Sequence, residues 1–338
     1  MDEIDRILLN NIQHAFPIDL FPYRILGSEA GIEENEAWQR VEGFRKRGII
    51  RRLGGVFDSR RLGYTSTLCA AKVPHDKILT VADFLNGINE VTHNYLRSYE
   101  YNMWFTIIAV SQEKLTKILR DVQQILGNGE VFSLPAQRVY KINVQFNLEK
   151  RKTENLVKEK VDERFNRGIV AKNVVSDKIF VPAEEDKMLI RLIQDNLPHS
   201  ISPFAEIAQK LSWSKENVFS GISRLLENQV LRRFGAVLKH QKVGFTSNAM
   251  GVWIVPEDKI DACGYRMAQF KEVSHCYKRQ TFPGWPYNLF TMIHGHTEKE
   301  CSEIAERISH DTGIKDYKML FSLSELKKSS MRYFTEEN

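Results

Sequence analysis

The stretch RRLGGVFDSRRLGYTST, residues 51–67, has a counterpart in RRFGAVLKHQKVGFTSN, residues 232–248. Setting position 51 on position 232 gives an offset of 181, and that offset carries backward through the chain. It pairs Asp5 with Asp186, Leu8 with Leu189, Gln13 with Gln194, Pro17 with Pro198 and Pro22 with Pro203. One inserted residue later, an offset of 182 pairs Val91, His93, Tyr95 and Arg97 with Val273, His275, Tyr277 and Arg279. The chain is a tandem duplication, or a fusion of two related subunits.

Each half reads in two pieces. The first is helical: Ile4, Ile7, Leu8 and Ile12 recur at helical spacing, and Trp38, Val41 and Phe44 form a second stripe stopped by Gly48. Three short helices followed by a basic, hairpin-like RRLGG point to a winged helix-turn-helix. The second piece alternates strand and helix in the order β-α-β-β-α-β, ending in a last strand over QRVYKINVQF. That order is a ferredoxin-like sandwich, an antiparallel sheet with two helices on one face. The expected class is α+β: two tandem copies of winged helix-turn-helix plus ferredoxin-like domain, packed sheet against sheet as a pseudo-dimer. The expected boundaries are 1–54 and 55–150 for the first pair, a linker over 151–180, then 181–236 and 237–330. The joint, within 147–178, is charged and carries room for a short helix from Glu154 to Arg164.

Bulk composition bounds the partners loosely. The 338 residues carry a net charge of +5, which fits nucleic acid or a small polyanion equally. No apolar run reaches the roughly 20 residues a membrane helix needs, and the acidic MDEIDRILLNN start is unlike a secretion signal. The expected location is cytoplasmic, without membrane partners. Cys69, Cys263, Cys276 and Cys301 form no C-x-x-C pair and read as buried thiols, neither disulfides nor a zinc site.

The repeated segments VTHNYLRSYEYN (from Val91) and VSHCYKRQTFPGWPYN (from Val273) carry the chemistry. Strand alternation puts His93, Tyr95, Arg97 and Tyr99 on one face with Val91, and His275, Tyr277 and Arg279 on one face with Val273. The positions between have diverged: Asn94 faces Cys276 in the alignment, and Leu96 faces Lys278. An imidazole, a phenol and a guanidinium in a row suit a carboxylate-rich ligand better than a core. The second half alone inserts TFPGWP, whose Trp285 offers a flat face for a macrocycle. Arg51 and Arg232 follow the third helix and reach for DNA phosphates or for ligand carboxylates, and His240 joins them in the second copy. His294 and His296 form an H-x-H pair with no further ligand pattern, so no protein-bound metal is expected. Glu33, Glu34 and Glu36 at the start of the third helix would repel phosphates, so the helix-turn-helix reads as structural.

The architecture resembles the Lrp/AsnC regulators. At residue level, HNYLRSYEYNMWFT, RRFGAVLKHQKVGFTSNAMGVWIVPEDKI and VSHCYKRQTFPGWPYNLFTMIHG are similar to the siroheme decarboxylases, over nearly the whole chain. That resemblance implies a carboxy-lyase acting on siroheme, removing the acetate carboxyls at C12 and C18 to give 12,18-didecarboxysiroheme for haem d1 or an alternative haem route. It implies His93 and His275 as catalytic, with Tyr95, Arg97, Tyr277 and Arg279 as neighbours. Where the family pattern has a second histidine after the first-half arginine, this chain has Tyr99. No cofactor is expected beyond the iron of the siroheme substrate, and the partners implied are siroheme and downstream haem-synthesis enzymes, not DNA. The alternatives are a ligand-sensing transcription regulator of the Lrp/AsnC type and a non-catalytic tetrapyrrole carrier.

Overall fold

The computed structural model describes residues 1–142, 179–239, 242 and 247–335. The charged joint with its expected helix, and His240, lie outside the described residues.

Each half opens with three helices, α1 (Glu3–His14), α2 (Pro22–Ala30) and α3 (Glu34–Lys46), repeated as α6 (Glu184–Ile193), α7 (Pro203–Leu211) and α8 (Lys215–Glu227). Asp2 caps α1 by accepting from the Asp5 amide, and Pro22 and Pro203 start the second helices, where a missing N–H costs nothing. Gly48, at φ 67°, lets the chain turn out of α3.

The strand after α3 departs from the expected wing. RRLGG does not open a hairpin within its own half. Strand β1 (Ile50–Phe57) pairs antiparallel with β7 (Leu231–Leu238) of the other half. Gly54 and Gly235 face each other in that ladder. A Cβ on Gly54 would come within 2.1 Å of the Asp195 carbonyl oxygen, and one on Gly235 within 2.6 Å of that of Ile12. Each strand thus lies directly on the end of the opposite half's first helix, an approach only glycine permits. Arg52 and Arg233 fasten the crossing: Arg52 donates to the Gln194 carbonyl, and Arg233 to that of Gln13 at 2.7 Å. The helices of both halves therefore share one core, with Leu8, Phe44 and Leu53 packed among Leu189, Phe204 and Phe234.

The second pieces are β2 (Thr65–Lys72), α4 (Ile78–Gly87), β3 (Val91–Arg97), β4 (Met103–Ala109), α5 (Gln112–Leu126), β5 (Glu130–Leu134) and β6 (Ala136–Ile142), then β8 (Ser247–Trp253), α9 (Ile260–Ala268), β9 (Val273–Arg279), β10 (Leu289–Gly295), α10 (Glu298–Thr312) and β11 (Tyr317–Lys328). The α+β class and the paired ferredoxin-like arrangement are those read from the sequence. The last strand is not. In the first half it is two strands around Pro135: β5 pairs with β2 of its own sheet and β6 with β9 of the other. β11 does the same unbroken, running along β8 and then along β3. The strand order β5-β2-β4-β3-β11-β8-β10-β9-β6 begins and ends on neighbours in the chain, so the two edge strands are joined through Pro135.

Two apolar layers lie between sheet and helices, one per half. A third lies between the sheets, where Ala70, Trp104 and Leu134 meet Met250, Trp285 and Phe290. Val91, Met103 and Phe105 belong to the helix side. Val91 does not share the face of His93 as the alternation predicts, because Thr92 is an extra residue that shifts the register, and His93, Tyr95 and Arg97 turn to the other half. Among the described residues no helix is long and apolar enough to cross a membrane.

Candidate active site

The two histidines sit at matched irregularities. The β3–β4 ladder passes from Val91 to His93, leaving Thr92 as an extra residue, and the β9–β10 ladder leaves Ser274. A β-bulge kinks its strand and re-aims a side chain. Here it sets a hydroxyl against each imidazole: His93 Nδ1 lies 3.0 Å from Thr92 Oγ1, and His275 Nδ1 lies 2.9 Å from Ser274 Oγ. With Nδ1 engaged, Nε2 is the atom left for other chemistry. His93 stacks on Tyr95 at 6.4 Å and His275 on Tyr277 at 5.9 Å, with interplanar angles of 22° and 25°. Arg97 and Arg279 continue the stacks, 5.3 and 4.6 Å from the tyrosine ring centres.

Cations converge on this end of the inter-sheet space. Burial pushes the His93 imidazole down to about 3, helped by Arg51, Lys328 and His275. His275 is pushed down to about 4, by burial and then by Arg279, Arg232, Lys141 and Lys328. The two imidazoles are thus near enough to feel each other's charge, and both are neutral at pH 7. Burial also lowers Arg51 and Lys328, and raises the Tyr95 and Tyr277 hydroxyls. Tyr95 donates to Glu325 at 3.1 Å; the position facing Tyr277 in the matching ladder is Val139, so the halves differ.

Four candidates are placed elsewhere. Arg97 and Arg279 point along the same face but are spent on backbone: Arg97 Nη1 donates to the Leu320 carbonyl at 2.8 Å, and Arg279 Nη1 to that of Leu134 at 2.6 Å. These carbonyls mark where β11 and β5 pass from one half's sheet towards the other's. Tyr99 lies beyond Arg97, accepting from Lys318 at 3.1 Å and packing edge-on against Trp285. Trp285 itself is 1% exposed, enclosed by Tyr101, Trp104 and Tyr287, so it has no face to give a macrocycle. The inserted loop fills the end of the inter-sheet space away from the histidines, where Phe282 stacks on Phe132 at 3.9 Å. The repeated Tyr-Asn pair is structural too: Asn102 clamps both backbone groups of Val73 at 2.9 Å, as Asn288 clamps Val255.

Tyr95, Tyr277, Arg51 and Arg232 do gather with the histidines, Arg232 held by Asp58 at 2.5 Å. Lys328 and Glu325 were missed, because β11 has no visible repeat partner there: Ile142 occupies the position matching Lys328. The four cysteines are buried and free. Among the described residues no group of three or more His, Cys, Asp or Glu is arranged to hold a metal ion. A cavity of about 260 Å³ adjoins Glu325, lined also by Ser247, Asn248 and His296; neither His93 nor His275 lines it.

Fold and site together define a fused AsnC-like α+β protein whose sheets enclose paired imidazoles and cations, an enzyme's arrangement. Family models agree: an AsnC-like ligand binding domain matches residues 61–141 and 242–327, and the siroheme decarboxylase NirDL-like HTH domain matches 5–51 and 186–232. The siroheme decarboxylase of Hydrogenobacter thermophilus is 38% identical over 341 residues, covering 99% of this chain and 96% of that protein. A siroheme decarboxylase beta subunit from Methanosarcina barkeri is 45% identical over 147 residues, 44% of this chain and 97% of that subunit. The crystal structure of the siroheme decarboxylase NirDL in co-complex with an iron-uroporphyrin III analogue superposes with a TM-score of 0.72 at 33% identity, covering 99% of this chain and 96% of that one. The chain belongs to the siroheme decarboxylase family, and it is a carboxy-lyase.

Proposed function

We propose that the protein binds siroheme at the histidine end of the inter-sheet space and removes the acetate carboxyls at C12 and C18, giving 12,18-didecarboxysiroheme. The observation that carries this reading is the convergence of His93 and His275, from two halves, among Arg51, Arg232 and Lys328. The analogue seen bound to the NirDL relative is an iron tetrapyrrole, which supports the same ligand class here.

Arg51, Arg232 and Lys328 hold the carboxylate arms, each charged hydrogen bond contributing about 1.5–3 kcal/mol. Tyr95 and Tyr277 stack beneath the imidazoles and fix their planes. Loss of carbon dioxide leaves an electron pair on the arm carbon, which the conjugated ring delocalises. A proton must then reach that carbon, and the Nε2–H of His275 or His93 supplies it. Before substrate binds, both rings are neutral because burial and the surrounding cations disfavour their charge. A bound polyanion offsets those cations and eases the entry into the site of the proton that the reaction consumes. General acid help of this kind is worth roughly 10²–10⁴-fold.

The product is a haem d1 or haem precursor, so the next haem-synthesis enzyme is the partner this reading implies. The iron is the substrate's own. The test is anaerobic incubation of the protein with siroheme, following both losses of carbon dioxide by mass. Wild-type turnover with loss in His275→Ala supports the assignment, and unchanged turnover in that variant removes His275 from the mechanism. Siroheme bound and returned unaltered by the wild type would make the protein a carrier.

A further inference from the structure

The bulge in β9 does something its counterpart in β3 does not. Ser274, buried at 6% exposure, places Oγ 2.9 Å from His275 Nδ1 and 2.8 Å from Nε2 of His294 on the neighbouring strand β10. Its other contact, to the Met292 carbonyl, is long at 3.4 Å. A hydroxyl owns one proton, so bridging two imidazoles it donates to one and accepts from the other. In the first half the chain of groups stops. Thr92 touches His93, but two residues past His93's ladder partner Thr106 stands Ile108, where the second half has His294 two past Met292. Ile108 packs against the helical core and can neither donate nor accept.

We propose that Ser274 and His294 are positioning residues that relay a proton to His275, making the second-half histidine the resupplied donor of the reaction. This rests on the decarboxylase reading above. The acetate arm breaks its bond to the carboxyl carbon and keeps the electron pair, releasing carbon dioxide. His275 gives its Nε2 proton to that arm carbon while Nδ1 takes the Ser274 hydroxyl proton. Ser274 takes in turn the Nε2 proton of His294, which for this step carries a proton on each ring nitrogen and is left as the neutral ring with its proton on the buried Nδ1. The proton consumed is made good from solvent between turnovers. His275 recovers its starting tautomer by exchange with water once product leaves.

Three variants test this, assayed anaerobically by product mass, with siroheme affinity read separately by absorbance titration. His294→Gln keeps a partner for Ser274 but passes no proton, so kcat falls at least tenfold while affinity stays within twofold of wild type. His294→Ala falls likewise and regains rate with added imidazole. Ser274→Thr keeps the hydroxyl and stays within threefold of wild type. Wild-type kcat in His294→Gln overturns the relay, and so does a loss in His294→Ala that imidazole leaves untouched, since that makes the ring structural. A wild-type protein that releases no carbon dioxide refutes the decarboxylase reading itself. An active wild type beside an unaffected His294→Gln refutes the relay alone.

Discussion

Arg97, on the last position of β3, donates its Nη1 proton to the carbonyl of Leu320 on β11, 2.8 Å away in the other half. The mirror contact, Arg279 to Leu134, makes this a paired device of the fold. Its guanidinium is buried and its pKa pushed down to about 10 by that burial, the signature of a structural tie. Arg97→Met is expected to lower unfolding free energy by about 2–3 kcal/mol through the unpaired carbonyl, with siroheme affinity nearly unchanged. Urea denaturation beside a siroheme titration checks it. Intact stability with lost affinity would return Arg97 to the ligand.

The facing glycines make the second expectation. Gly54→Ala and Gly235→Ala drive a methyl into backbone carbonyls, costing about 1–3 kcal/mol each. Gly55→Ala meets only side chains, Phe57 and Leu231, and the repeat already has Ala236 at that position, so it costs less. Thermal melts of the three variants rank them, and an equal ranking would contradict the close approach.

Lys328 comes from the second half yet acts on His93 in the first. Lys328→Ala is expected to weaken siroheme binding roughly 10–100-fold, the loss of one charged hydrogen bond. Lys327→Ala, whose amine caps the Ile88 carbonyl, should lower stability and leave affinity alone. Titrations of both variants separate the two lysines.

The depressed imidazoles predict how the protein without substrate responds to acid. From an ordinary value of 6.5, His93 lies near 3 and His275 near 4 when folded. Above 6.5 neither state is charged and the rings cost nothing. As pH falls from about 6.5 towards 4, the unfolded chain takes up protons the folded one refuses, so stability falls, on the order of 1 kcal/mol per pH unit for each ring. His93→Gln should flatten that slope in urea midpoints measured across the range. A slope unchanged by the substitution would show that the ring is not held neutral.

The duplication, the α+β class, the order of elements and the row of His, Tyr and Arg were all legible in the chain. Each is a local pattern: a 181-residue offset, a helical stripe, a two-residue alternation. The same alternation put Arg97, Arg279 and Tyr99 with the ligand, and the inserted loop put Trp285 there, since period-2 spacing tells which face a residue takes but not what covers that face. The cover comes from the packed halves. Because β1 pairs with β7 and the last strands cross between halves, the backbone carbonyls that Arg97 and Arg279 satisfy, and the lysine beside His93, come from positions far along the chain. Sequence periodicity fixes faces through covalent geometry. Which partner meets a face is set by long-range pairing, where buried polar groups must find each other.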